Sequence, residues 1–472
     1  MAGNNLRPGS NGVAVGLLVT AALTIRTLLV VGVLATGAGP GAFQAPDTDS
    51  YLRDAHQLLS TGTFGPPGDP DIVRTPGYPL LLLPGVSAGS PELVTIGLQI
   101  LLSGLTVLLV YDLGRLLTAD RRIALLAAGL YSVEPLSVLY TSLLLTETLF
   151  TCLIVVALDL LARFQSTTRW RDAAWAAVAL AASAYVRPVS YFLPLWLGAL
   201  LLAMALRPGP QRRRRLAQAI LFGATAMVLV GAWQLRNLAV AGFPGFSAIE
   251  DINLYFYNGA SVLAAEKGLP YYRVQEQMGY LDRQLYLERH PEQIGWSEAE
   301  RYRSMGRAGL RILRSHPGEY AFIHLEGMLR TLMEPGAVDY LRLFRLYPVQ
   351  GGLLGEAVDR GLLATVASLA QQRPLAFWST AALGILLGAY YLLALVGLAS
   401  RRISFGAKAL LVATAIYFVL ISGGPASLSR FRHPVMPIVC LFAAAGIVEM
   451  SARLERRKRR RAEAAETGLF TV

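Results

Sequence analysis

Apolar runs of about twenty residues recur along the whole chain, and about twenty helical residues are what it takes to cross a bilayer core. They fall at 13–35, 93–117, 122–140, 143–162, 172–187, 189–206, 216–239, 376–399, 407–423 and 433–450. Backbone surrounded by lipid must satisfy its own N–H and C=O groups, and runs of this length do so as helices. Only 16% of the 472 residues are charged, against about 25% in soluble domains. The sequence therefore predicts an all-α polytopic membrane protein with about ten spans. The first run is too long for the core of a cleaved signal peptide and is expected to remain as a helix. Cys152 and Cys440 lie in separate apolar runs and read as small buried thiols.

Charge sets the expected orientation. The net charge of +12 is concentrated between alternate spans and in the tail. Arg115, Arg121, Arg122, Arg163, Arg169, Arg171, Arg207, Arg212 to Arg215, Arg401, Arg402, Lys408 and the run from Arg453 to Arg461 share one side if both termini are cytoplasmic. That is a positive-inside pattern, and it accounts for the basic excess without nucleic acid. The chain then divides into an N-terminal transmembrane module, 1–240, an outer-face helical segment, 241–375, C-terminal spans, 376–450, and a basic cytoplasmic tail, 451–472. The module carries its own first outer loop, 36–91. From residue 241 to 373, 14 Lys and Arg offset 15 Asp and Glu, as in a folded segment rather than a polybasic arm. Two helices are expected there, at 297–315 and 318–334, the second with a broad apolar face for the bilayer or the bundle.

In the first outer loop, Tyr51, Leu52, Ala55, Leu58 and Leu59 mark one face of a short amphipathic helix, with Arg53, Asp54 and Gln57 opposite. Asp47 and Asp49 stand at its start. Either could cap the helix, and either could serve as a general base if an apolar boundary raised its pKa. Glu147 is an ionisable group inside a span and is a site candidate on that ground, with Glu134 a weaker one. Arg74, Arg187, Arg236, Arg430 and Arg432 fall on the outer side, against the positive-inside trend. A phosphate would account for them, because guanidinium binds phosphate oxygens through paired charge-assisted bonds. His433 reads first as a hydrogen-bonded histidine beside a proline, and Asn237 first as a helix C-cap. Asn253, Tyr255, Tyr257 and Asn258 could line an acceptor groove or form core. No Walker loop or strand-linked GxGxxG is present, so no nucleotide-binding domain is expected. His316 and His324 lack ligand partners at metal-binding spacing.

The spacing Asp47, Tyr51, Ala55 directly after the first span resembles the GT-C glycosyltransferases. Within them it is similar to the protein O-mannosyltransferase and lipid A aminoarabinose transferase-like group. Further segments carry the same resemblance in the same order: Arg-Thr-Pro-Gly-Tyr-Pro at 74–79, Leu-Thr-Glu-Thr-Leu-Phe at 145–150, Tyr-Val-Arg-Pro at 185–188, Trp233 to Asn237 followed by Gly242, and Arg430 to Pro434 with Pro437. The resemblance implies a sugar transferred from a polyprenyl-phosphate donor to a protein, lipid or cell-wall glycan at the outer face of what reads as a bacterial plasma membrane.

It also implies that a first-loop acid is the base. Asp47 stands four before Tyr51, but Thr48 occupies the place where many relatives carry a second acid, so the choice between Asp47 and Asp49 stays open. Arg74, Arg430 and Arg432 are expected on the donor phosphate. Glu147, Tyr51, Arg187, Arg236, Asn237 and His433 are expected to support the site or meet the acceptor. No metal and no cofactor is expected. The competing readings are a transporter or flippase of a lipid-linked saccharide, and a polymerase or ligase using pyrophosphate-linked glycans.

Overall fold

The computed structural model describes residues 9–66, 68–348 and 368–469. Part of the expected outer segment, 349–367, and the ends of the chain lie outside them. The described residues contain helices and loops and no strand. In chain order the helices are α1 Gly9–Ala35, α2 Thr48–Thr61, α3 Gly77–Ser87, α4 Pro91–Thr118, α5 Arg121–Ser132, α6 Pro135–Thr141, α7 Glu147–Thr167, α8 Trp170–Val186, α9 Leu193–Ala205 and α10 Arg212–Ala241. Shorter helices follow: α11 Ile249–Ile252, a π-helical turn Asn253–Gly259, α12 Ala260–Lys267, α13 Tyr271–Gln277 and α14 Arg283–Arg289. The longer α15 Glu298–Ser315 and α16 Pro317–Met333 precede α17 Ala337–Leu343. Three helices close the chain, Pro374–Ala399, Phe405–Ile421 and Met436–Leu469.

Each of the ten apolar runs is mostly helical, but only six helical segments among the described residues are long and apolar enough to cross a membrane, or seven if one bent pair counts as a span. The described residues thus form a polytopic helical bundle without bearing out ten spans. The run 122–140 is broken by a 52° bend between α5 and α6. The break falls where Pro135 removes a backbone donor and Glu134 caps the new helix, accepting from the N–H groups of Leu136 and Ser137. The run 143–162 starts its helix late, at Glu147, and that helix carries Glu147, Asp159 and, just past the run, Arg163. The runs 172–187 and 407–423 form helices of 17 residues each.

Small residues set the tightest crossing. Gly397 and Gly446 face one another between Pro374–Ala399 and Met436–Leu469, where an added Cβ at either would run into the other helix's backbone. Without a hydrophobic drive between helices in lipid, such close approach supplies the packing energy. The basic loops gather at one end of the bundle, where Arg163 pairs with Asp112 and Asp159, and Arg402 pairs with Asp120 and Glu449. At the opposite end lie α2, α3 and the α11–α17 segment.

Three contacts build that end. Thr48 donates to the Leu144 carbonyl at 2.9 Å, and the Leu144 N–H donates to the Phe43 carbonyl at 2.9 Å. These tie the start of α2 to the start of α7, and so Asp47 to the neighbourhood of Glu147. Gly77 seats α3 on the end of α8, since a Cβ there would sit 2.7 Å from the Tyr185 carbonyl oxygen. The amphipathic helix of the first loop forms as expected and ends at Gly62, whose φ of 70° is left-handed. One detail differs. Asp54, expected on the polar face, is fully buried, while Leu59 stays half exposed.

Candidate active site

A cavity of about 660 Å³ opens at the end of the bundle away from the basic loops. Its wall holds Asp47, Tyr51, Arg74 and Arg187 from the first 240 residues, and Arg430 from the loop before the last helix. Positions nearly 400 apart in sequence thus meet at one place.

Asp47 is its centre. It occupies the N-cap position of α2 but makes no side-chain capping bond. Its two oxygens go to two guanidinia instead, Oδ1 to Arg74 at 3.0 Å and Oδ2 to Arg430 at 2.9 Å. Burial pushes the carboxyl up, but Arg430 and Arg74 outweigh burial and hold it at about 2. Arg74 is aimed by a local turn, in which Asp71 Oδ1 accepts from the backbone N–H of Val73 at 2.6 Å and of Arg74 at 2.8 Å. Its guanidinium lies 4.8 Å from the Tyr51 ring centroid and 3.4 Å from the Tyr51 hydroxyl.

A second carboxylate, Glu147, is 1% exposed and accepts from Arg187 at 2.6 Å; Arg430 Nε lies 3.8 Å from the same oxygen. Arg187 reaches it because α8 stops one residue earlier, ahead of Pro188, and leaves Arg187 in an extended conformation. Its guanidinium stacks near Phe150 and Phe431 at 5.6 and 5.3 Å. Three guanidinia therefore face two carboxylates in one connected network. The surplus is one positive charge, held where an anion can enter.

Most of the other residues singled out from the sequence lie elsewhere. Asp49 is exposed and does not line the cavity. Arg432 is buried and donates to the carbonyls of Thr331 at 2.6 Å and Leu332 at 3.1 Å, closing the end of α16. His433 is buried with its Nδ1 2.8 Å from the Thr151 hydroxyl. Arg236 braces the first loop through the carbonyls of Asp71 and Phe64, and Asn237 holds the turn after α10 through the carbonyls of Gly245 and Phe246. Glu134 caps α6. Tyr255 is buried against His290, whereas Asn253, Tyr257 and Asn258 do line the cavity.

Sequence reasoning missed Arg330, Glu334 and Tyr280 on the wall, and the loop 421–428 that forms one side. Glu334 did carry a signal, a carboxylate before Pro335-Gly336 where a helix must stop. It also missed Asp54, whose buried carboxyl is pushed up to about 7 by burial and by Asp71. Among the described residues no group of three or more His, Cys, Asp or Glu is placed to hold a metal ion.

A family model described as dolichyl-phosphate-mannose-protein mannosyltransferase matches residues 78–233. No curated protein matches significantly. Solved structures of the Archaeoglobus fulgidus oligosaccharyltransferase align over 94% of this chain and 52% of theirs. The apo form aligns at 14% identity with a TM-score of 0.49. The archaeal oligosaccharyltransferase AglB of that organism, in complex with an inhibitory peptide and a dolichol-phosphate, aligns at 14% with a TM-score of 0.47. The chain thus spans about half the length of the solved structures it matches. The ordered motifs and the family model agree that this membrane protein resembles the GT-C glycosyltransferases, with the mannosyltransferase family's signature carried by residues 78–233.

Proposed function

We propose that the chain transfers a sugar from a polyprenyl-phosphate donor to an acceptor hydroxyl or amine at the outer face of the membrane. The observation that carries this reading is the network Arg74–Asp47–Arg430–Glu147–Arg187 on the cavity wall. A lipid phosphodiester bears one negative charge, which matches the surplus of one guanidinium. Arg74 and Arg430 hold the donor phosphate, and Arg187 with Glu147 keeps Arg430 in place. The acceptor oxygen or nitrogen attacks the anomeric carbon as the bond from that carbon to the phosphate oxygen breaks. The acceptor's proton passes to Asp47, and the polyprenyl phosphate leaves with its charge spread over the arginines.

A carboxylate pinned by two arginines is a weak base. Donor phosphate competes for the same guanidinia, and each contact it takes from Asp47 returns basicity to that carboxylate. Donor binding and activation of the base are then one event. The acceptor is a protein, lipid or cell-wall glycan, the first in keeping with the family model's description.

The test is reconstitution with radiolabelled polyprenyl-phosphate sugars and a membrane extract as acceptor. Wild type transfers label, Asp47→Asn binds donor but does not transfer, and Asp49→Asn stays active. Full transfer by Asp47→Asn removes the assignment. Accumulation of translocated substrate with no new glycosidic bond replaces the enzyme by a transporter.

A further inference from the structure

A second cavity, of about 600 Å³, shares a wall with the first. That wall is α11 and the turn after it: Ile249, Ile252 and Asn253 line the catalytic cavity, whereas Asp251 and Leu254 line this one. A helix with its side chains is about 10 Å across, so the two spaces are close neighbours, yet they have no lining residue in common. The rest of the second cavity is built on α15, where Glu300, Arg303, Arg307 and Leu310 recur at i, i+3, i+7 and i+10 and so share one face. Gly306 makes the room, since a Cβ there would collide with Asp251 Oδ1. Asp251 makes no hydrogen bond and no ion pair among the described residues. Burial pushes its carboxyl up to about 6, more than the charge of Arg303 pulls it down. Arg303 and Arg307 each engage only Nε, on the carbonyls of Ala299 at 3.2 Å and Arg303 at 3.3 Å, and their terminal nitrogens have no hydrogen-bond partner among the described residues. Trp296 is held through its backbone N–H on the Gln293 carbonyl at 3.1 Å; its half-buried ring stacks on no other ring among the described residues.

We infer that this second cavity is a binding site for a neutral saccharide, separate from the place where the donor reacts. A carboxylate only accepts and a guanidinium only donates, whereas a hydroxyl does both. Neighbouring hydroxyls of one sugar ring can therefore donate to Asp251 and accept from Arg303 or Arg307 at the same time. The open face of Trp296 offers the flat apolar surface that the C–H side of the ring needs. Charge balance favours a neutral guest. Arg303 stands among carboxylates, and both Asp251 and Glu300 feel its charge, although it forms an ion pair with neither. A phosphate would meet those two carboxylates, and an ammonium would meet two guanidinia. The volume lies within the roughly 300–1,000 Å³ of small-molecule sites, enough for a short oligosaccharide. A peptide fits less well. Extended peptides dock on a sheet edge, and the described residues contain no strand. Helical peptides need an apolar groove, and four charged side chains line this cavity. The inference does not depend on the donor reading, because none of its residues belongs to the arginine network.

The experiment uses the full chain in nanodiscs and saturation-transfer NMR with four probes: mannotriose, laminaritriose, glycerophosphocholine and inorganic phosphate. Wild type is expected to bind at least one of the two trisaccharides, with saturation reaching its ring C–H protons. Asp251→Asn and Trp296→Ala each weaken that binding about tenfold or more. Asp47→Asn, in the first cavity, leaves it as in wild type. Asp251→Asn changes charge without changing shape, so it keeps the test open if Trp296→Ala does not fold; an unfolding temperature near that of wild type checks this. No binding of either trisaccharide overturns the inference. So does trisaccharide binding that is lost in Asp47→Asn and kept in Asp251→Asn, which would place the sugar in the catalytic cavity. Binding of glycerophosphocholine or phosphate alone, abolished by Trp296→Ala, would assign the cavity to a lipid headgroup or an anion and overturn it as well.

Discussion

Asp47 bridges Arg74 and Arg430, and replacing it by asparagine has a consequence opposite to ordinary damage. The two guanidinia hold its carboxyl at about 2, against an ordinary value of 3.8. A tenfold change in acidity is worth about 1.36 kcal/mol, so the ionised carboxylate gains about 2 kcal/mol from its surroundings. The side chain is 29% exposed, so screening trims this figure without removing it. A lipid phosphate that takes over the guanidinia must first give up that interaction. Asp47→Asn abolishes it in advance. The variant is expected to bind sugar-free polyprenyl phosphate more tightly than wild type, by up to about 1–2 kcal/mol or roughly 5- to 30-fold, while transfer falls to background. Fluorescence or calorimetric titration in nanodiscs at about pH 7 reads the affinity directly. Weaker or unchanged phosphate binding in Asp47→Asn would show that the arginines hold no phosphate, and the reasoning would fail.

Arg430→Ala and Arg432→Ala separate two neighbours by role. The first weakens polyprenyl-phosphate binding by about 2 kcal/mol or more; the second leaves binding alone and lowers the unfolding temperature by stripping two carbonyls of α16 of their donor. A drop in phosphate affinity for Arg432→Ala contradicts this. Asp54 gives a pH signature outside the spans. Its folded pKa is raised to about 7, so the stability tied to its neutral form is present below the unfolded value near 4 and is lost as pH rises through about 7. Asp54→Asn should therefore unfold at a higher temperature than wild type at about pH 8, with the gap narrowing below about pH 7 and closing by about pH 4; a gap independent of pH refutes it. Gly327 faces the loop that walls the cavity, where a Cβ would collide with the backbone of Gly424 and meet Ser427 Oγ. Gly327→Ala is expected to cost about 1–3 kcal/mol by overpacking and to lower transfer more than Gly32→Ala, whose Cβ meets one ring carbon at 3.9 Å; equal effects would show that the loop position does not matter.

The spans were legible because hydropathy is a local property, and nearly every apolar run became helix. Where the helices break was not, since that depends on where each one bends and starts. Pro135 and the late start at Glu147 decide that, and only tertiary contacts such as Thr48 to Leu144 show why. Asp47, Arg74, Glu147, Arg187 and Arg430 were readable as candidates because charge at an apolar boundary is costly and needs a reason. What sequence did not tell was which neighbour in Arg430-Phe431-Arg432-His433 faces the cavity. These residues sit in a 3₁₀ turn, Ser429–Val435, and its geometry sends Arg430 to Asp47 and Arg432 to the end of α16. Asp54 escaped because a helical wheel assigns it to the polar face, while Asp71 and the folded first loop cover that face.

The anomeric configuration of the product tests the central claim most directly. With a polyprenyl-phosphate sugar of defined anomer and a purified acceptor, direct attack with Asp47 taking the proton predicts a product inverted at the anomeric carbon, as NMR coupling constants or anomer-specific glycosidases would show. A product of retained configuration would require a covalent glycosyl intermediate or another route, and would contradict the assignment of Asp47 as the base of a single displacement.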